Sequence, residues 1–447
     1  MESAFCQRGL APASVDLGAE ARLSSSPVRQ LRSLYRDYAE AFRHFSPNAK
    51  RFLAGSFLLG VGANQISLLF SLYLKRLDYT EAAIGGVLAT RALGSTLVAL
   101  PASILAARFD PRRLLPVAAV LTAAAYAAQS LAVSGAAIGA AVFLAGAIST
   151  VFQVSSGPFF MRNSGERERM HLFSLNGALS MGTGLLGSLL GGGLKDGLYA
   201  LGLAEVAAYR IALLVGAAFV FAAFLPFASI EASSAPLPER RTAKPRRFEG
   251  IDPLLWAKLI LPGFLVGLGA GLTIPYLNLY FKNVFGLGDA AIGAAVAAGQ
   301  VATFAGMAAG PAIAKRLGKP RAVFWTQFLS VPLILVLGWV RALPLALLAY
   351  LARQVLMNMS TPIQDNFALE LVPPERQSLV NALKMLSWTG SWTIAARISG
   401  DLIYESGFST SFALTACLYA ASTLCYRLFF IRGAGAGKGG GRGKGED

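Results

Sequence analysis

Two arginines interrupt long apolar runs of this chain. Arg91 sits in GGVLATRALGSTLVALP and Arg353 in ALLAYLARQVLMNMSTPIQD. In apolar surroundings a guanidinium holds an anion or a carbonyl through forked, charge-assisted hydrogen bonds. No acid shares its depth, because the nearest carboxylates, Glu81, Asp252, Asp365 and Asp401, lie at the ends of runs. Asn64, Gln65, Gln153, Tyr276, Asn278, Asn358 and Trp388 also stand within apolar segments. These residues suit binding, not bond-making. No nucleophile–base pair is visible, so an enzyme is not expected. Two histidines, His44 and His171, and three cysteines, Cys6, Cys417 and Cys425, have no metal-ligand spacing. No cofactor and no metal are expected.

The elements that must position these residues follow from composition. The 447 residues are 55% hydrophobic and 14% charged, with mean hydropathy +0.54. A soluble domain carries about 25% charged residues. Charges cluster between stretches of about 20 apolar residues, the length that crosses a bilayer as a helix. Twelve spans are expected, near 52–73, 82–106, 114–133, 136–160, 172–193, 206–229, 254–280, 290–314, 321–340, 344–363, 378–402 and 408–431. The fold class is an all-α polytopic membrane protein. The net charge of +16 is no nucleic-acid signature, because the basic residues alternate with the spans. Of the 40 Lys and Arg, 29 fall in the tails and even-numbered loops, six in the other loops and five within spans. The positive-inside rule therefore places both termini in the cytoplasm, in a cytoplasmic membrane.

The divisions expected are a tail over 1–51, a six-helix bundle over 52–230, a linker over 231–252, a second bundle over 253–431 and a disordered tail over 432–447. Within the first tail, Leu31, Leu34, Tyr35, Tyr38, Phe42 and Phe45 recur at helical spacing among arginines. That spacing fits an amphipathic helix on the inner membrane surface or a packed cap helix.

Depth follows from the helical rise. Arg91 lies ten residues from Glu81, so about 15 Å into its span. Arg353 lies nine residues after Pro344, also near mid-depth. A charge at the bilayer centre costs about 2.5–3.5 kcal/mol on insertion scales, so both side chains should face an interior. Gly94 and Ser95, on the face of Arg91, agree with that. Two roles remain open for each arginine: contact with an anionic solute, or satisfaction of helix carbonyls and end-placed acids.

The chain repeats itself. FLLGVGANQISLLFSLYLK from Phe57 aligns without a gap on FLVGLGAGLTIPYLNLYFK from Phe264, which brings Lys75 onto Lys282. After one inserted residue, AIGG at 83–86 meets AIGA at 291–294. ARFDPRR at 107–113 meets KRLGKPR at 315–321. Pro158 meets Pro362, which sets Arg353 on Ser149. Six spans per copy is even, so both copies run the same way, and such parallel repeats place a solute pathway between the halves.

With these features, residues 50–431 resemble the major facilitator superfamily. Its G-x-L-a-D-R-x-G-R-R segment between spans two and three keeps Arg108, Arg112 and Arg113 here. Ser103, Ala107 and Asp110 replace its first Gly, its Asp and its second Gly. The second copy keeps Arg316, Gly318 and Arg321, with Lys315 at the Asp position. TGLLGSLLGG at 183–192 is similar to the family's antiporter segment, with Gly187, Gly191 and Gly192 in place and Ser188 for its Pro. Close helix packing accounts for the same glycines.

The resemblance implies two parallel six-helix repeats rocking about a cavity lined by spans one, four, seven and ten. It sets Asn64, Gln65, Gln153, Tyr276, Asn278, Arg353 and Asn358 on that lining, with Arg91 and Trp388 beside them. Pro275 should open span seven locally. The expected function is secondary active transport of a small organic solute, as efflux by antiport. The alternatives are uptake or exchange of an organic anion, and a non-transporting sensor on the same fold. The partners expected are the solute, a proton or other coupling ion, and the bilayer; a monomer suffices.

Overall fold

The computed structural model describes residues 42–231 and 253–432. Residues 232–252 of the expected linker, 433–447 of the C-terminal tail and most of the expected amphipathic helix lie outside the described residues.

The chain is a succession of long helices: α1 (Pro47–Arg76), α2 (Glu81–Arg108), α3 (Pro111–Leu131), α4 (Gly135–Arg162), α5 (Glu166–Ala200) and α6 (Glu205–Ala222, resumed as Phe224–Ala228). Then come α7 (Pro253–Thr273, a 3₁₀ turn Ile274–Tyr276, and Leu277–Phe285), α8 (Asp289–Leu317), α9 (Lys319–Trp339) and α10 (Leu343–Glu370). A final helical stretch, Pro374–Tyr426, is divided by the non-helical Gly407 into α11 (374–406) and α12 (408–426), and a π-helical turn Arg427–Arg432 follows. Ser46, Thr80, Asp110 and Ser134 accept backbone N–H bonds at the starts of α1 to α4, which satisfies donors that a helix leaves free.

Nine helical stretches among the described residues are long and apolar enough to cross a bilayer, and the last, Leu383–Ile431, spans the Gly407 break. The rods outside that set are α5, rich in Gly and Ser, and α10, which carries Arg353, Gln354, Asn358 and Gln364. Exposed Leu97, Leu100, Leu225 and Leu348 give the outer surface the apolar character that hydrocarbon requires. The protein is a multi-pass membrane protein.

Helices α1 to α6 pack among themselves, as do α7 to α12. The main joints between the bundles are α5 with α8 and α2 with α11, and the end of α7 also touches α1. Both joints obey the sequence repeat. A Cβ on Gly192 would lie 2.2 Å from the Asp289 carbonyl oxygen, and one on Gly293 would lie 2.3 Å from that of Ser188. At the equivalent joint, a Cβ on Gly400 would lie 2.7 Å from the Glu81 carbonyl oxygen, and one on Gly85 would lie 2.9 Å from the Gly400 Cα. Both joints lie near the end opposite the one carrying the first and last described helix ends. We call these the far end and the termini end.

Candidate functional site

Helix α7 shows how the sequence shapes the interior. Proline cannot donate a backbone hydrogen bond, and at Pro275 the helix tightens into the 3₁₀ turn, as expected. Beside the turn, the Leu272 carbonyl accepts from the hydroxyls of Ser399 and, at 2.9 Å, Ser411. The turn aims Tyr276 at α11, where its hydroxyl donates to the Ala396 carbonyl at 2.9 Å.

A cavity of about 850 Å³ lies on the C-terminal bundle. It runs from Ala270, Gln300 and Arg353 at mid-depth to Lys258, Leu369 and Phe430 at the termini end. Arg353 is only 5% exposed. Its Nη2 donates to the Tyr419 hydroxyl at 2.6 Å, its Nη1 donates to Gln354 Oε1 at 2.5 Å, and its guanidinium stacks over the Tyr419 ring. No carboxylate reaches Arg353 among the described residues, so its positive charge is held by neutral acceptors. Asn358 Nδ2 bonds Thr303 and the Gln354 carbonyl. Lys384, on the same wall, pairs with Asp365. Trp388, 43% exposed, supplies an aromatic face that packs near Trp392. The Gln364 Nε2, Gln327 Oε1 and Ser387 Oγ atoms of this wall are buried with no hydrogen-bond partner among the described residues.

Of the residues expected on the pathway, the structure brings Arg353, Asn358 and Trp388 to this cavity. The others sit elsewhere. Arg91 Nη2 donates to the Tyr126 hydroxyl of α3 at 2.9 Å, inside the N-terminal bundle. Its neighbours explain the placement: Gly94 packs on the Phe143 carbonyl and Ser95 donates to the Gly146 carbonyl, both on α4. The small face of α2 thus serves helix packing. Gln65 is buried and donates to the Ala212 carbonyl on α6 at 2.7 Å. Asn64 donates to the Gly60 carbonyl of its own helix. Asn278 reaches across the bundles to the Leu68 carbonyl at 2.9 Å, and Tyr276 is buried against Gly85 and Gly400. Gln153 is exposed on α4, off the wall of this cavity.

Replacing Tyr126 with Phe removes the hydroxyl that Arg91 uses. Hydrogen bonds to charged groups contribute about 1.5–3 kcal/mol. Tyr126→Phe should lower the thermal unfolding midpoint and leave solute affinity at the Arg353 cavity within about twofold, which a ligand titration checks.

The loop residues lie at the termini end. Arg108, Arg113, Arg316 and Arg321 are exposed. Arg112 bonds Asp110 and holds that carboxyl below its ordinary range. Gly318 links α8 to α9 at φ 79°, a conformation that side chains with a Cβ rarely adopt. On α5 the small residues split between two neighbours. Gly187 and Gly191 meet α1 at Val61 and Gln65, whereas Gly184 and Gly192 meet α8 at Gln300 and Asp289.

The sequence reading passed over a second cluster, at the far end. Asp289, fully buried, accepts from Lys195 at 2.7 Å, the Tyr209 hydroxyl at 2.6 Å and Lys282 at 3.0 Å. Lys195, 2% exposed, also reaches Glu205 at 3.2 Å and Asp196 at 3.3 Å. Lys195 and Lys282 are among the six cations of the other loops, and Asp289 opens a helix, so nothing in composition marks them as buried. The repeat held the available signal: it aligns Lys282 and Asp289 with Lys75 and Glu81, themselves paired at 2.7 Å.

These contacts join the two bundles at the far end, and the cavity reaches the termini end. The family model for the Major Facilitator Superfamily matches residues 52–364. No curated protein matches the chain. Solved structures share its fold at low identity. A bacterial homologue of the human lysosomal transporter Spinster, inward-facing and occupied, has a TM-score of 0.70 and 14% identity, over 86% of this chain and 97% of that one. The nucleoside transporter NupG has a TM-score of 0.67 and 12% identity, over 86% and 99%. The inward-open xylose transporter XylE from E. coli has a TM-score of 0.67 and 13% identity, over 86% and 95%. The chain belongs to the Major Facilitator Superfamily and is a membrane transporter.

Proposed function

We propose that this transporter works by alternating access and carries a small organic anion, seated against Arg353 in the cavity of the C-terminal bundle. The observation that carries the reading is the charge of the cavity wall. Arg353 is buried with neutral partners, and Lys384 is matched by Asp365. Lys258 adds a further cation to the wall. An oxyanion supplies what such a wall lacks. Trp388, 43% exposed, offers an aromatic face to the organic part of the solute. With both termini in the cytoplasm, which the 29-to-6 charge asymmetry supports, the cavity opens inward, and both uptake and exchange are served by it.

Efflux by antiport remains a second reading, favoured by the glycines of α5. Gly192 and Gly184 place that helix tight against α8, where a seal between the halves must form. Among the described residues that line the cavity, Asp365 is the one carboxylate, and the coupling partner in either direction is a counter-solute, a proton or another ion.

A thermal-shift screen of the purified protein against organic anions, organic cations and neutral solutes separates the readings. A ligand that binds the native state raises apparent stability by mass action, by about 2.7 kcal/mol at a hundred times its Kd. Stabilisation by anions, lost in Arg353→Ala, is the expected result. Stabilisation by lipophilic cations alone would overturn the anion reading.

A further inference from the structure

We propose that the Lys195–Asp289 bridge is the reversible far-end gate of the transport cycle, and that Lys282 takes over Asp289 when the gate opens. The inference rests on the alternating-access reading and names the residues that hold one end shut.

The bridge joins the two bundles, with Lys195 on α5 and Asp289 on α8. Tyr209 of α6 adds a second crossing bond to the same carboxylate at 2.6 Å. Asp196 adds a third, accepting from the Ala290 backbone N–H at the start of α8 at 2.7 Å. Opening the far end must break all three. Breaking a buried ion pair normally leaves each charge stranded, which would make such a contact a permanent bolt.

Here neither charge is stranded. Asp289 keeps Lys282, from its own bundle, at 3.0 Å. Lys195 keeps Glu205 and Asp196, from its own bundle, and Glu205 keeps Arg76 of α1 at 2.7 Å. The N-terminal share of the cluster holds two cations, Lys195 and Arg76, and two anions, Asp196 and Glu205. The C-terminal share holds one of each, Lys282 and Asp289. Each half is therefore neutral on its own, and separation exchanges partners instead of exposing unmatched charge. Arg210, nearby on α6, bonds the Tyr73 hydroxyl at 3.0 Å and stays within its bundle.

The equivalent joint shows that the arrangement is specific to this side. There Lys75 and Glu81 pair within the N-terminal bundle, and Arg397 and Asp401 pair within the C-terminal one. The contact of Glu81 across the bundles is the amide of Asn283 at 3.2 Å. No ion pair crosses that joint among the described residues, so one of two symmetry-related joints carries the ionic bond.

The test uses spin labels on full-length protein lacking its native cysteines, at Leu201→Cys and Ala342→Cys, on far-end loops of different bundles. Pulsed dipolar spectroscopy then reads the distance between the bundles without any solute, so a failed flux assay bears only on the solute reading. Lys195→Met and Asp289→Asn should each raise the open-to-closed ratio about tenfold, the scale on which a buried pair governs a two-state equilibrium. Tyr209→Phe, which keeps the packing, should shift it the same way by less. Lys282→Met should shift it the opposite way, because Asp289 then has the crossing bridge as its one ionic partner. Unchanged distances in Asp289→Asn and Tyr209→Phe would overturn the gate. Opening by Lys282→Met would overturn the exchange of partners.

Discussion

Arg353→Ala should reduce transport of an anionic solute about a hundredfold, with most of the loss in apparent affinity. The argument is electrostatic. The guanidinium sits 5% exposed at the inner end of the cavity and spends two of its donors on neutral acceptors. It keeps its charge and its remaining donors for a solute. Removing one partner of a buried, hydrogen-bonded charge pair costs about 2–5 kcal/mol, and about 2.7 kcal/mol is a hundredfold in affinity. Arg353→Lys keeps the charge and loses the fork that Tyr419 and Gln354 position, so it should recover part of the affinity and not all. Tyr419→Phe removes the hydroxyl that holds the fork in place and should fall between wild type and Arg353→Ala. Concentration-dependent flux in proteoliposomes checks the series. Equal flux in all four proteins would place the solute elsewhere.

The second large effect separates folding from conformational change. Two glycines make equally close contacts, and the contacts differ in which parts they join. A Cβ on Gly62 would lie 2.2 Å from the Gly216 carbonyl oxygen, between α1 and α6 of one bundle. A Cβ on Gly192 would lie 2.2 Å from the Asp289 carbonyl oxygen, between α5 and α8 of different bundles. Overpacking within a close-packed interior costs about 1–3 kcal/mol. Gly62→Ala can escape that cost only by deforming its bundle, so it should lower the thermal unfolding midpoint. Gly192→Ala can escape by opening the far end. It should leave the midpoint nearer wild type and raise labelling of a far-end cysteine. Unfolding curves and thiol-labelling rates on the same two proteins separate these outcomes.

Much of the fold was legible because its signals are periodic and redundant. Span length, the alternation of basic loops and the Phe57–Phe264 repeat each led to the same membrane architecture. Pro275 announced the break in α7, since the missing donor acts locally. Depth and the repeat singled out Arg353, which the structure places on the cavity wall. Arg91 shared that depth and a small-residue face, yet it binds Tyr126 inside a bundle. Small residues mark any close helix contact, whether within a bundle or beside a cavity, and one helix cannot tell these apart. Gln65 and Tyr276 fell elsewhere for a related reason: a polar group within a span needs a partner, and a neighbouring carbonyl serves as well as a solute. Lys195 and Asp289 were hidden because charges at helix ends are usually solvated. Their burial arises only when α5 and α8 meet, and that pairing lies beyond any local pattern.

The most direct test of the central claim is counterflow. Proteoliposomes are loaded with an anion that stabilises the purified protein, and entry of the same labelled anion is followed with and without internal solute. An alternating-access carrier with one site at Arg353 predicts saturable entry, faster with internal anion, and absent in Arg353→Ala. Entry that does not saturate, ignores internal anion and persists in Arg353→Ala would contradict the account.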